Sequence, residues 1–266
     1  MRQGLKRTLL VGLLALLCSF CLFADASSTT SYTDSFAFLS SYPQYVELYE
    51  AINNYDSASE VEAKFESLKT SLGNTVQDWT VLLKASLNYA HYCLEIAEKK
   101  NTKKAKQLIS NAEAIYEALE KSGLDMKASG AEALKFCCLS IGYLASPLSI
   151  SKGLESVKVI DNAYKENPQE LSIAILYAAR KLNAPGIGGG DDEEAYEVFS
   201  LLLNYVESPE GAKTADWDRF DIYCGLAKYY EKKGSNEQAV EMYAKALVIY
   251  PQNGSVTTAI AKLEKK

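Results

Sequence analysis

The strongest chemical suggestion in this chain is a glycine-rich run with a block of acids behind it. Residues 183–190 read Asn-Ala-Pro-Gly-Ile-Gly-Gly-Gly, and four acidic residues follow at 191–194. Glycines before a helix can present backbone N–H groups to a phosphate. Here the acids would occupy the first helical turn and satisfy those groups themselves, and no Lys-Ser/Thr follows the glycines. The pattern predicts a loop ended by a strong cap, with Asp191 and Glu194 at capping-box spacing, and the alternative is a lid over a groove.

Cysteine and histidine chemistry has few candidates. The chain has one histidine, His91, and its cysteines beyond residue 26 include no CxxC pair, so no zinc site is expected. The cysteines beyond residue 26 lie in apolar helical stretches, which favours small buried side chains over disulfides and leaves their redox state open. They are Cys93, Cys137, Cys138 and Cys224.

Sequence patterns of common enzymes are missing as well. The chain contains no GxSxG, HExxH or P-loop pattern. A pair of catalytic carboxylates stays open, because 34 acidic residues guarantee chance neighbours. We therefore expect a protein without catalysis and without a cofactor. A carboxylate or tyrosine cluster deep in a closed pocket, with strongly shifted pKa values, would favour an enzyme instead.

The charge balance bears on the partner. The chain carries 34 acidic against 28 basic residues, for a net charge of −6. Nucleic acids and anionic membranes require an excess of Lys and Arg, so neither is an expected partner.

The N-terminus predicts export. Arg2, Lys6 and Arg7 precede an apolar run at 9–24, and Ala24-Asp25-Ala26 has the small-x-small form of a cleavage site. We expect a signal peptide at 1–26, a location in the periplasm or outer cell envelope, and no membrane span after cleavage. A retained anchor is the alternative, although the run is short for a span of about 20 residues.

A lipoprotein form is the less expected variant of this prediction. Cys18 and Cys21 could carry a lipid, but each follows a bulky residue, Leu17 or Phe20, where a small one normally stands.

The rest of the chain has helical periodicity and helical punctuation. Residues 27–35 are rich in Ser and Thr and predict a flexible lead-in, and 36–266 predicts one helical domain. Ser57 with Glu60 and Ser235 with Gln238 have capping-box spacing. No stretch alternates long enough to predict a strand. Helices are predicted at 43–54, 57–72, 76–100, 102–121, 129–146, 151–166, 169–182, 191–206, 214–233, 236–249 and 254–265.

Residues 220–251 resemble a tetratricopeptide (TPR) repeat, a pair of helices with small and aromatic residues at fixed positions. The matching residues are Tyr223, Leu226, Ala227, Tyr230, Ala239, Tyr243, Ala246 and Pro251. Weaker second-helix patterns begin at Val61, Ala105, Ser156 and Ala195. The resemblance implies an all-α fold, an α-solenoid of about five antiparallel TPR-like helix hairpins. A non-repeat helical bundle is the alternative.

In such an array the first helix of each pair lines a groove that binds a protein or peptide. In the last unit four charged residues face away from the packing side and are the candidate groove residues: Asp221, Lys228, Glu231 and Lys232. Upstream, a polar stripe of Lys84, Asn88, His91, Glu95 and Glu98 crosses an otherwise apolar helix. Either that helix and the apolar one near 131–145 are buried, or the groove takes an apolar guest.

The glycine-rich turn and the acidic helix after it, within residues 169–206, are similar to a segment of the T-component family of TRAP transporters. Those proteins are extracytoplasmic helical TPR-like proteins. The resemblance implies partnership with a periplasmic solute receptor and an apolar small-molecule ligand. They are commonly lipoproteins, and the cysteine context of this chain departs from that pattern.

Overall fold

A computed structural model describes residues 31–123 and 130–265. Within these ranges the chain is all-helical, and its only β pairing is one isolated bridge between Thr33 and Glu170. The predicted signal peptide at 1–26 lies outside the described residues. The α-helices in the described ranges are α1 Pro43–Asn53, α2 Ala58–Ser71, α3 Val76–His91, α4 Thr102–Lys121, α5 Ala131–Ala145, α6 Ile150–Glu166, α7 Leu171–Asn183, α8 Asp192–Val206, α9 Asp216–Lys232, α10 Asn236–Ile249 and α11 Gly254–Leu263.

The predicted helix at 76–100 ends earlier than expected. After α3 the chain makes one π-helical turn, Tyr92–Ile96, and then leaves the helix. The reason lies in Asn101, whose N–H group donates to the Cys93 carbonyl at 2.8 Å and whose side chain caps α4. The bond to Asn101 satisfies the Cys93 carbonyl, which a longer α3 would have used within the helix.

Several helices begin at a side-chain cap, and one of the predicted capping boxes does not form. Ser57 and Glu60 form the predicted capping box at the start of α2. The box predicted at Ser235 was wrong, because α10 does begin there but the Ser235 side chain accepts no hydrogen bond. Thr75 and Asp78 form a box at α3 that the sequence reading missed.

The helices pack as pairs of sequence neighbours. The pairs are α1 with α2, α3 with α4, α5 with α6, α7 with α8, and α9 with α10, and α11 packs on α10. The first members also contact one another in chain order, α1 with α3, α3 with α5, α5 with α7, and α7 with α9. The odd-numbered helices up to α9 therefore form a layer of their own.

Contacts between the two ends of the helical chain close this layer. The ring centroid of Trp217 on α9 lies 5.6 Å from that of Tyr45 and 5.5 Å from that of Tyr49, both on α1. The side-chain amide of Asn253 donates to the Asn53 carbonyl at 2.7 Å. Helix α1 thus contacts both α9 and the start of α11.

Residues 31–35 of the predicted flexible lead-in are packed against the fold, and residues 27–30 lie outside the described residues. From residue 31 on, the segment packs against the start of α7, where the Thr33 N–H donates to Gln169 and the Thr33 carbonyl accepts from Leu171, at 2.8 and 2.9 Å. Tyr32 is buried beside the ring of Tyr205. These hydrogen bonds and apolar contacts offset the entropy that a free segment would retain.

The repeat-packing residues of the last pair lie mostly inside. Ala227, Ala239 and Ala246 are fully buried between α9 and its neighbours. Leu226, Tyr223 and Tyr243 are also buried, Tyr230 is half-buried, and Pro251 is exposed just after α10 ends.

Candidate binding cavity

A cavity of about 540 Å³ lies among α1, α3, α7 and α9. Its apolar lining includes Phe199, Phe220 and Ile175. A smaller annex of about 100 Å³ adjoins it and reaches towards α5. The two share lining residues, among them Tyr49 and Leu176, so a single occupant could extend through both.

The polar stripe predicted on α3 faces this space. Asn88, His91 and Glu95 line the main cavity, and Lys84 and Asn88 line the annex. Spacings of three and four residues put such side chains on one helix face. Glu98, the last predicted member, follows the break after the π-helical turn and is not among the lining residues.

The apolar remainder of α3 is covered by its neighbours. Leu83 and Leu87 are at most 2% exposed. The cavity lining mixes aromatic, aliphatic and charged side chains, so it is neither wholly apolar nor wholly polar.

The four candidate groove residues do not share one site. Asp221 and Lys228 line the main cavity. Glu231 lines a separate depression beside α11, which Lys228 also borders. Lys232 points elsewhere, donating to the Leu182 carbonyl and to Asp192, the latter at 2.7 Å. The structure therefore brings two of the four together.

The annex contains an acid that the sequence reading did not single out. Asp218 is only 8% exposed and lines the annex together with Tyr45, Tyr49 and Trp217. No hydrogen bond or ion pair links its carboxyl group to another described residue. Asp218 sits in the first turn of α9, where an acid ordinarily indicates only a helix start, and that is why it was missed.

Enclosure by protein shifts the pKa values of the cavity groups. Burial raises the pKa of Asp218 well above its ordinary value, with Lys84 opposing the shift. Burial likewise raises the pKa of Asp221 to about 6, against the opposing charges of Lys228 and Lys84. Asp221 is exposed by surface area, but it lines both the cavity and the annex and is surrounded by protein there. Burial lowers the pKa of His91.

The glycine-rich loop is tied to α7. The buried Arg180 donates to the Gly189 carbonyl at 3.1 Å and forms an ion pair with Asp161. Asp191 caps α8 by accepting from two backbone N–H groups, at 3.0 Å each. The reciprocal half of the predicted box does not form, because Glu194 instead bonds the Tyr177 hydroxyl and pairs with Lys181. The acids occupy the helix start, as predicted.

The four cysteines are unpaired, and burial keeps them protonated. It raises the pKa of Cys93 and of Cys137 to about 11 and that of Cys224 to about 12, and it also raises the pKa of Cys138. None is therefore a thiolate near neutral pH. Within the described ranges no cluster of His, Cys, Asp or Glu is arranged to hold a metal ion.

In the part of the chain that the structure describes, no helix combines the length and apolar character needed to cross a membrane. Comparison with protein-family models, curated proteins and solved structures gives no match. Fold and cavity define an all-helical protein with an internal site, and the function has to follow from the site itself.

Proposed function

We propose that this chain is an exported, TPR-like helical repeat protein that works by binding an occupant in its central cavity. The observation that carries this proposal is the cavity of about 540 Å³ with a mixed lining. Sites for small molecules have this size and this combination of apolar walls with a few polar groups.

The helix pairing supports the solenoid part of the proposal. Five pairs follow one another in the described ranges, and the first members contact each other in chain order. In an α-solenoid of about five antiparallel TPR-like hairpins, these first helices would line the inner side. The same helices line the cavity and its annex.

Closure between α1 and the C-terminal helices bears on what can enter. The Asn53 to Asn253 hydrogen bond and the contacts of Trp217 with α1 join the ends of the layer. A long extended peptide needs an open groove, whereas a small molecule needs only a pocket. The geometry thus favours a small molecule with an apolar part, as the T-component resemblance implies.

A protein partner is the second candidate, favoured by a different surface. Between α5 and α6 four aliphatic side chains are exposed, by 46 to 96%: Leu144, Leu148, Ile150 and Leu154. These four side chains are close together in the sequence, and exposed apolar patches often mark a protein contact. Crosslinking in the cell envelope with Leu148→Asp as the comparison tests it. Recovery of one specific protein with the parent chain and not the variant would support this partner.

Catalysis is not proposed, although the annex groups carry shifted pKa values. Burial raises the pKa values of Tyr45, Tyr49 and Asp218, and that of the Cys137 thiol to about 11. This is the kind of cluster that was expected to favour an enzyme, but each shift favours the neutral, protonated form, which is the weaker nucleophile and the weaker general base.

The test of the binding proposal is native mass spectrometry of the protein purified from its own host envelope. We expect a bound small molecule in the parent protein. Leu176→Trp, at a position that lines both the cavity and the annex, should expel it by filling the space. Leu201→Trp is the matched control, since Leu201 is 47% exposed and outside the cavity lining. An empty parent protein, or equal retention in both variants, would contradict the proposal.

A further inference from the structure

The annex is lined by an acid that is almost fully buried and has no partner among the described residues. Asp218 is 8% exposed as a residue, and its carboxyl group has no hydrogen bond or ion pair with another described residue. Buried polar groups in proteins nearly always have partners, because an unpaired one costs free energy. An occupant of the annex would supply the missing partner.

The start of helix α9 does not require this acid to be buried. An acid in the first turn is stabilised by the helix dipole whether or not it is exposed. Asp216 already occupies that turn and is exposed to solvent. Burial of Asp218 therefore needs another explanation, and a ligand contact provides one.

A second carboxyl group and little positive charge surround the same space. Asp221, three residues further on and hence on the same helix face, also lines the annex. Lys84 is the one basic residue among the annex lining. Its Nζ atom lies 4.0 Å from the centroid of the Phe36 ring, and it forms no ion pair with a described residue.

Aromatic rings complete the surroundings. Trp217, Tyr45 and Tyr49 line the annex, with ring centroids 5.5 to 5.6 Å apart where Trp217 meets each tyrosine. The faces of such rings attract cations, and most strongly where water is excluded. Carboxylates beside aromatic rings are the combination that binds an ammonium group.

We propose that the annex binds the ammonium group of an organic amine, held by the rings of Tyr49 and Trp217 and by the carboxyl groups of Asp218 and Asp221, which the bound cation would keep ionised. The apolar part of the same molecule would extend into the main cavity. This inference rests on the proposed binding function and specifies the chemical class of the occupant.

Isothermal titration calorimetry with three probes of equal chain length tests the inference. The probes are hexylamine, hexanoate and 1-hexanol, which differ only in the head group. We expect hexylamine to bind at least tenfold more tightly than the other two. Asp218→Asn should weaken hexylamine binding about tenfold or more, which is the effect of losing about 1.4 kcal/mol. Asp216→Asn, the matched change on the exposed side of α9, should leave the affinity within about twofold.

Thermal unfolding of the empty protein separates a binding role from a structural one. Asp218→Asn removes a buried ionisable group, so it should raise the melting temperature while it weakens amine binding. A merely structural Asp218 would lose stability on substitution and leave the selectivity among the probes unchanged.

The failures of the two proposals are distinguishable. If hexanol or hexanoate binds as tightly as hexylamine, or if both Asn variants behave alike, the ammonium inference is overturned while the cavity remains a binding site. If none of the three probes binds, the inference is overturned as well. The binding proposal then depends on the native mass spectrum alone.

Discussion

At the scale of residues, burial of ionisable carboxyl groups in the cavity costs stability. Because these groups titrate, the pH dependence of stability measures that cost. Asp218 and Asp221 are enclosed by protein, and burial raises the pKa of each. A carboxyl group with a raised folded-state pKa stabilises the fold most when it is protonated. Such groups are often retained where binding needs them rather than where folding does.

The first prediction concerns pH and Asp221. Its ordinary pKa is 3.8 and its folded-state pKa is about 6. Its contribution to stability is therefore fully present below about pH 4 and is lost as pH rises to about 6. Asp221→Asn should flatten the change in melting temperature across that window. The positive charges of Lys228 and Lys84 oppose the rise in the pKa of Asp221.

The comparison for this measurement is Asp216→Asn, because Asp216 is exposed on the same helix. Melting temperatures at intervals from pH 3.5 to 7 suffice for the three proteins. A slope between pH 4 and 6 that is identical in all three would contradict the assignment of the pH dependence to Asp221.

Residue types and spacing predicted part of the cavity. Lys84, Asn88, His91 and Glu95 were recognised as one face of a helix, because helical period relates residues only three or four apart. The same reasoning selected Asp221 and Lys228. It did not select Asp218, because burial of a first-turn acid depends on α1 and α5, which lie far away in the sequence.

At the scale of helices, a glycine on α9 allows close packing against α8. A Cβ atom on Gly225 would lie 2.3 Å from the ring of Phe199, which is itself almost fully buried. Only a residue without a side chain fits that position. The ring and the glycine together set the distance between the two helices.

The second prediction follows from this contact. Gly225→Ala should destabilise the protein by about 1–3 kcal/mol, because the added methyl group overpacks the contact. Gly186→Ala is the matched control, since a Cβ atom there would meet nothing within 4 Å. It should change the unfolding free energy by less than about 0.5 kcal/mol. Chemical denaturation measures both, and equal values would show that α8 and α9 are not packed through Gly225.

Helix positions were largely predictable from local sequence. Ten of the eleven described helices fall within a few residues of the predicted ranges, and Ser57 forms its capping box. The exceptions have local causes that compete with the pattern. The predicted helix at 76–100 ends at a π-helical turn because Asn101 captures a carbonyl, and Ser235 starts a helix without bonding to it.

At the scale of the molecule, a hydrogen bond between residues 200 apart in the sequence joins the first of the described α-helices to the start of the last one. Asn253 is 3% exposed and has two roles. Its Nδ2 atom donates to the Asn53 carbonyl at 2.7 Å, and its Oδ1 atom accepts from the Val256 N–H at 3.1 Å as the cap of α11.

The third prediction separates these two roles. Asn253→Ala should cost about 1–3 kcal/mol, because it removes both the closing bond and the cap. Asn253→Asp keeps an oxygen that can cap α11 but loses the N–H donor. Any decrease in its unfolding free energy therefore measures the contribution of the hydrogen bond to Asn53. Gln252→Ala, an exposed neighbour, should cost less than about 0.5 kcal/mol.

Hydrogen exchange of α1 adds a second measure of closure. Faster exchange there in Asn253→Asp, with α11 unchanged, would identify the bond to Asn53 as a clasp between the two ends. If Asn253→Asp matches the parent protein in both measurements, closure depends on the aromatic contacts around Trp217 instead.

Local sequence patterns were enough to predict that this protein is helical, where most of its described helices begin and end, and which face of α3 is polar. Those properties depend on hydrogen bonds and periodicities within a few residues, so they can be read locally. Only the three-dimensional packing shows that α1 meets α9 and α11, that Asp218 is buried with no partner among the described residues, and that Lys232 lies outside the cavity. Those outcomes depend on burial between distant segments, which no local pattern encodes.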